Sequence, residues 1–236
     1  EDRFANVLEA PVAPRESFAY THDTCGFYRP HSLSELFEIL RTHPQAQLIG
    51  GGTDLSLEVT KRYRELGCLV SIEYMPEMQG IKRQAPGFRI GAGVTLTDLE
   101  AELQTELPPL ARMLRFFGSR QIKHRATLGG NICNASPIGD LPPVLLALEA
   151  QLILASEQGT RSLPIAEFFL DYRKTALVSG EVLTAVEIPR LEEGIRVSSY
   201  KVSKRRELDI SAVAATFLVK TSEAGTVERV RLAYGG

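Results

Sequence analysis

The chain has 236 residues, 44% of them hydrophobic, which is enough for one large domain or two small ones with a real core. Its 27 basic and 29 acidic residues leave a formal charge of -2, so there is no electrostatic case for a nucleic acid or an anionic membrane as partner. No apolar run reaches the length of roughly 18 to 20 residues that a spanning helix needs. The three cysteines, Cys25, Cys68 and Cys133, are far apart and fit neither a disulfide framework nor a metal cluster, and the four histidines show no ligand spacing. A reducing, cytoplasmic setting and no metal site are the expectation. The chain opens Glu-Asp-Arg-Phe, without methionine or a charged-then-apolar leader, and so reads as a piece of a longer product.

Residues 1–24, with Pro11, Pro14 and mixed charge, read as a linker or arm. Ser32-Leu-Ser-Glu35 is a capping box that opens an amphipathic helix carrying Leu33, Leu36, Phe37 and Leu40, and Pro44 closes it. A strand over 47–50 runs into Gly50-Gly51-Gly52, after which Thr53 or Asp54 is placed to cap a helix with Leu55, Leu57 and Val59. Strands follow at 68–72 and 88–91. A helix opens at the box Thr97-Asp98-Leu99-Glu100 and ends before Pro108, and a further helix carries Leu110, Met113, Leu114 and Phe117 up to Gly118. Another helix starts at Pro142-Pro143. The second half changes character: 152–155 and 161–164 form a hairpin, 165–170 a short helix, and 182–189, 197–202, 213–220 and 227–234 strands. The plan is α+β, without a regular βαβ alternation.

Two glycine turns stand out from this frame. At Leu48-Ile-Gly-Gly-Gly-Thr-Asp-Leu55, bare backbone after a strand can turn successive N–H groups toward an anion. The same residues also suit an ordinary strand-to-helix turn, the commoner use of a lone glycine loop. Thr127-Leu-Gly-Gly-Asn131 is likewise a tight turn, or the opposite half of a pyrophosphate clamp with the Thr127 and Asn131 side chains completing it. Neither has the Lys-Ser/Thr of a P-loop or the spacing of a dinucleotide fingerprint.

Further motifs accompany the two turns in order: Phe117 with Gln121-Ile-Lys123, Ser136-Pro-Ile-Gly-Asp140, Phe169-Leu-Asp-Tyr-Arg-Lys174, and Tyr200-Lys-Val-Ser-Lys-Arg-Arg206 with Asp209-Ile210. From about residue 26 onward the chain resembles the FAD-binding domain of the molybdenum hydroxylases of xanthine dehydrogenase type. The resemblance implies a two-subdomain fold of the PCMH or vanillyl-alcohol-oxidase type, with subdomains at 25–78 and 79–236 and a C-terminal subdomain cut near 236. It implies FAD contacts from Leu48, Ile49, Gly50, Gly51, Gly52, Thr53, Asp54, Leu55, Thr127, Gly129, Gly130, Asn131 and Ile138. It also implies that Phe117 stacks on the isoalloxazine ring, Asp140 meets flavin or ribityl polar groups, Lys201 lies near the ring and the Leu183 backbone touches the cofactor. Residue by residue, simpler roles compete: core packing for Phe117 or its neighbour Phe116, an N-cap for Asp140, a solvated charge for Lys201, and small apolar packing for Cys133.

Function follows from the same resemblance. The chain lacks the cysteines for an iron-sulfur cluster and has no molybdopterin-binding region, so it is expected to be the electron outlet of a larger oxidoreductase and to carry no hydroxylation chemistry alone. Electrons from hypoxanthine or xanthine would arrive through 2Fe-2S clusters on a partner and leave through FAD to NAD or oxygen, within a hetero-oligomer that includes a molybdopterin-binding subunit. Two other readings stand beside it: the FAD subunit of a carbon monoxide or nicotinate-type dehydrogenase, and a cofactor-free assembly module.

Overall fold

The computed structural model describes residues 16–206 and 208–236. The first sheet takes β1 (Phe18–His22), β2 (Cys25–Arg29), β3 (Gln47–Ile49) and β4 (Cys68–Ser71) in the order β1-β2-β4-β3. β2 and β3 both run parallel to β4 and β1 antiparallel to β2, so α1 (Leu33–Thr42) and α2 (Leu55–Thr60) serve as the crossovers. Ser32 caps α1 by accepting from the Glu35 N–H, and the Glu35 carboxylate accepts in turn from the His31 N–H at 2.7 Å. The apolar stripe of α1 packs through Leu36 on Val70, Met75 and Met78, forming a small core.

The arm expected over 1–24 is corrected where it is described. Phe18–His22 is a strand that pairs residue for residue with β2, from Phe18 opposite Arg29 to His22 opposite Cys25. Both its faces are exposed, so no alternation of apolar and polar residues announces it. Residues 1–15 lie outside the described part.

The second sheet is antiparallel throughout, in the order β5-β6-β11-β7-β8, from β5 (Ile81–Gln84), β6 (Gly87–Gly91), β7 (Gln151–Ser156), β8 (Gly159–Pro164) and β11 (Val182–Pro189). Between β6 and β7 come five helices: α3 (Leu96–Glu102), α4 (Pro108–Arg115), α5 (Arg120–Lys123), α6 (Leu128–Cys133) and α7 (Leu141–Ala147). Their apolar faces meet the sheet in one large core that includes Phe88, Ile90, Leu99, Leu114, Leu128, Val144 and Phe168. α3 begins two residues earlier than expected. Thr95, not Thr97, accepts from the Asp98 N–H, because Thr95-x-x-Asp98 is a second box that fits the same stretch. Where a helix was expected over 165–170, a short 3₁₀ turn (Ile165–Glu167) leads into β9 (Phe169–Asp171), which pairs with β10 (Lys174–Thr175).

A third sheet, β12 (Ile195–Val202), β13 (Val213–Thr221) and β14 (Val227–Gly235), shares no strand with the second. α4 packs on β12, while α7 packs on β13 and β14. The Ser199 hydroxyl seals one contact by donating to the Pro109 carbonyl at 2.6 Å. This places the start of α7, and the turn before it, between the two antiparallel sheets.

Candidate functional site

The two glycine turns touch. A Cβ on Gly51 would stand 1.6 Å from the Arg125 carbonyl oxygen, and one on Gly50 would stand 3.1 Å from Thr127 Oγ1. Gly52 has a different reason to be glycine, a φ of +72 that side chains resist. The Ala126–Leu128 stretch is itself held by antiparallel bonds, with the Leu96 N–H donating to the Ala126 carbonyl at 2.9 Å and the Leu128 N–H to the Val94 carbonyl at 3.0 Å. A two-pronged pair from the Arg125 guanidinium to the Glu73 carboxylate, 2.5 and 2.9 Å, ties the segment to the end of the first sheet.

Beside this contact opens a cleft of about 310 Å³. Leu48, Ile49, Gly50, Gly51, Gly52, Thr53, Asp54, Leu55, Phe117, Thr127, Gly130, Asn131, Ile138 and Asp140 all line it. Three expected residues do not. Gly129 is buried against Ala92, whose Cβ would be 2.7 Å from an added one, so it serves the packing of α6. Leu183 lies in the large core, because both faces of β11 are covered. Lys201 stands behind the wall and reaches the site only through Asp140.

The turns contribute unequally. Among the described residues, the N–H groups of Gly51, Gly52 and Thr53 make no backbone hydrogen bond. The second turn is instead the first turn of α6, with the amides of Leu128, Gly129, Gly130 and Asn131 all engaged. Leu128 donates to Val94, Gly129 to the Ala92 carbonyl at 2.8 Å, Gly130 to Thr127 Oγ1 at 3.1 Å and Asn131 to the Thr127 carbonyl at 3.0 Å. What this side offers is side chains. Thr127 Oγ1 keeps its own proton for donation, and Asn131 Oδ1 is buried without any partner. An orphaned buried acceptor in a cleft calls for a ligand donor.

Asp140 sits at the N-cap position of α7 but does not cap it. The second and third residues of the helix are Pro142 and Pro143, which carry no N–H for a capping carboxylate to accept. Its oxygens go elsewhere: Lys201 Nζ donates to Oδ2 at 2.7 Å, and the Ser211 hydroxyl donates to Oδ1. The side chains of Lys201 and Asp140 are only 4% and 6% exposed, so Lys201 is not a solvated charge. Phe117 packs on the large core, the simpler role considered for it, and also lines the cleft, whereas Phe116 is not part of that core. Burial pushes the Cys133 thiol up to about 12, which fits packing and not redox chemistry.

Sequence reasoning missed Ile122, Ala126, Asn134, Ser136 and Gly139, which also line the cleft. Asn134, at the C-cap of α6, follows Asn131 by three residues, a shared face that only the helix reveals. Ile122 and Ile138 add exposed apolar surface around Phe117, a wall suited to a flat ring. A wider cleft of about 580 Å³ lies across α5, lined by Arg115, Arg120 and Lys123, but it contains none of the expected residues. Among the described residues, no group of His, Cys, Asp and Glu is placed to hold a metal, and no helix is long and apolar enough to cross a membrane.

Comparison with known proteins agrees with this geometry. Residues 19–191 match the family described as the FAD binding domain in molybdopterin dehydrogenase, and residues 198–236 match the CO dehydrogenase flavoprotein C-terminal domain. The chain is 34% identical over 222 residues to the xanthine dehydrogenase of Emericella nidulans, covering 89% of this chain and 16% of that protein. It is equally 34% identical over 243 residues to a nicotinate hydroxylase of the same organism, covering 94% of this chain and 18% of the relative. Among solved structures, a chain of the carbon monoxide dehydrogenase from Hydrogenophaga pseudoflava superposes with a TM-score of 0.84 at 26% identity, over 92% of this chain and 76% of that one. The chain therefore belongs to the family of FAD-binding domains of the molybdopterin dehydrogenases, the flavoprotein part of the molybdenum hydroxylases.

Proposed function

We propose that the cleft between residues 48–55 and 117–140 holds FAD, and that the chain is the electron outlet of a xanthine dehydrogenase-like enzyme. The observation that carries this reading is that Gly51, Gly52 and Thr53, whose N–H groups make no backbone hydrogen bond, line the same cleft as Asn131, whose Oδ1 is buried without a partner. The amides and the Thr127 hydroxyl bind the pyrophosphate as donors. Asn131 accepts from a hydroxyl or amine of the cofactor. Phe117, Ile122 and Ile138 cover the ring and exclude water, and Asp140 presents an acceptor whose charge Lys201 offsets. When bound, FAD supplies the conversion between one-electron carriers and a two-electron acceptor.

On this reading the first subdomain, with β1 in its sheet, runs to residue 78 and the second starts at 79, residues 198–236 matching the family's C-terminal domain, with the cofactor between the first two. The 2Fe-2S and molybdopterin groups belong to other parts of the enzyme, the acceptor is NAD or oxygen, and the setting is cytoplasmic. The FAD-loaded protein is expected to oxidise NADH with an artificial electron acceptor. Bound FAD with no NADH oxidation would overturn the NAD-linked reading. A second substrate class has a specific basis, since the nicotinate hydroxylase matches at the same identity as the xanthine dehydrogenase. Turnover of xanthine against nicotinate by the whole enzyme separates the two.

A further inference from the structure

We propose that Ser211 is a positioning residue for the cofactor site, fixing the carboxylate of Asp140 from the side opposite Lys201; this rests on FAD occupying the cleft. Three observations carry it. First, a carboxylate on its terminal torsion has a broad rotational preference, and the prolines of α7 remove the helix amides that would otherwise hold it. Second, among the described residues the donors to Asp140 are two side chains, one on each oxygen: Lys201 Nζ from β12 and the Ser211 hydroxyl from the segment leading into β13. Third, Ser211 is only 3% exposed, so water does not replace its hydroxyl if it is removed.

The surrounding backbone holds Ser211 in register. The Ala212 N–H donates to the Val202 carbonyl at 2.8 Å, and the Gly236 N–H donates to Pro137, inside the turn that carries Asp140, at 3.2 Å. The third sheet therefore closes on the cleft wall from behind. Without the Ser211 hydroxyl, Oδ1 turns toward Lys201 and the acceptor presented to the cofactor changes direction. With it, the carboxylate has one orientation before the ligand arrives, and binding does not have to order it.

The test is the FAD dissociation constant of the folded protein, with the melting curve of the cofactor-free form as a check on folding. Ser211→Ala is expected to weaken FAD binding about tenfold, the size expected for one hydrogen bond to a buried charge. Ser211→Thr, which keeps the hydroxyl, is expected to stay within about threefold of the original. In an Asp140→Asn background the Ser211→Ala change should alter affinity by less than about twofold, because coupled neighbours are not additive. If the alanine variant does not fold, Ser211→Cys, of similar size and with only a weak donor, takes its place. A folded Ser211→Ala with the original affinity overturns the proposal, as does an effect that persists undiminished in the Asp140→Asn background. If the unsubstituted protein binds no FAD, the cofactor reading itself fails, and the role of Ser211 with it.

Discussion

Gly51→Val abolishes FAD binding, weakening it by more than about a hundredfold, because overpacking against rigid backbone costs on the order of 1–3 kcal/mol or more and here also displaces the binding loop. The cause is specific to this glycine. Its added Cβ would fall 1.6 Å from the Arg125 carbonyl oxygen and 2.2 Å from the carbonyl carbon, positions that only backbone movement can clear. Arg125 cannot retreat freely, since its side chain is fixed to Glu73 and the following residues are bonded to Val94 and Leu96. The loop must therefore lift off, carrying the Gly51, Gly52 and Thr53 amides with it. Gly130→Ala provides the contrast. It faces the cleft, and its Cβ would meet one atom, Thr127 Oγ1 at 3.0 Å, which has to give by only a few tenths of an ångström, so affinity falls about tenfold while the melting temperature moves far less than in Gly51→Val. FAD titration and thermal melts of both variants check the pair, and a Gly51→Val protein that binds like the original would mean that the two turns do not form the site.

Lys201→Met destabilises the cofactor-free protein by about 3–5 kcal/mol, the cost of leaving a buried carboxylate without its partner. The pair is almost completely enclosed, at 4% and 6% side-chain exposure, so solvent does not screen the loss. Joining Asp140→Leu to Lys201→Met should recover most of that stability, since an apolar pair of similar volume avoids the desolvation cost. FAD affinity should stay low in the double variant, because Asp140 lines the cleft and its acceptor is gone. Urea denaturation and FAD titration separate the two effects. A single Lys201→Met variant as stable as the original would show that the pair contributes nothing to the fold.

Much of the fold was legible where one face of an element is apolar. α1 was readable from its capping box and stripe, and β7, β8 and β11–β14 from runs rich in strand-forming residues between turn residues. β1 and β5 were not, because β1 is exposed on both faces and β5 places mostly polar residues outward. The start of α3 slipped because Thr95 and Thr97 each begin a plausible capping box, and only the tertiary bonds of Thr95 and Leu96 select between them. Gly129-Gly130 read as a turn because glycine pairs usually break helices; here α6 tolerates them, since Gly129 lets the helix approach Ala92. At the site, the local motifs carried most of the lining residues. The connection of Lys201 and Ser211 to Asp140 was not readable, because no spacing within a motif reveals a contact made across sheets. Leu183 does not line the cleft, and a strand covered on both faces gives no sign in sequence of which residues reach one.

The central claim is that one cleft, made by the bare Gly51–Thr53 amides and by Thr127, Asn131, Phe117 and Asp140, binds FAD. Titration of FAD into the purified protein, followed by flavin fluorescence and visible absorbance, tests it most directly. The prediction is saturable binding of one FAD per chain with a perturbed flavin spectrum, lost in Gly51→Val. No spectral change on titration, or equal binding by the Gly51→Val protein, would contradict it.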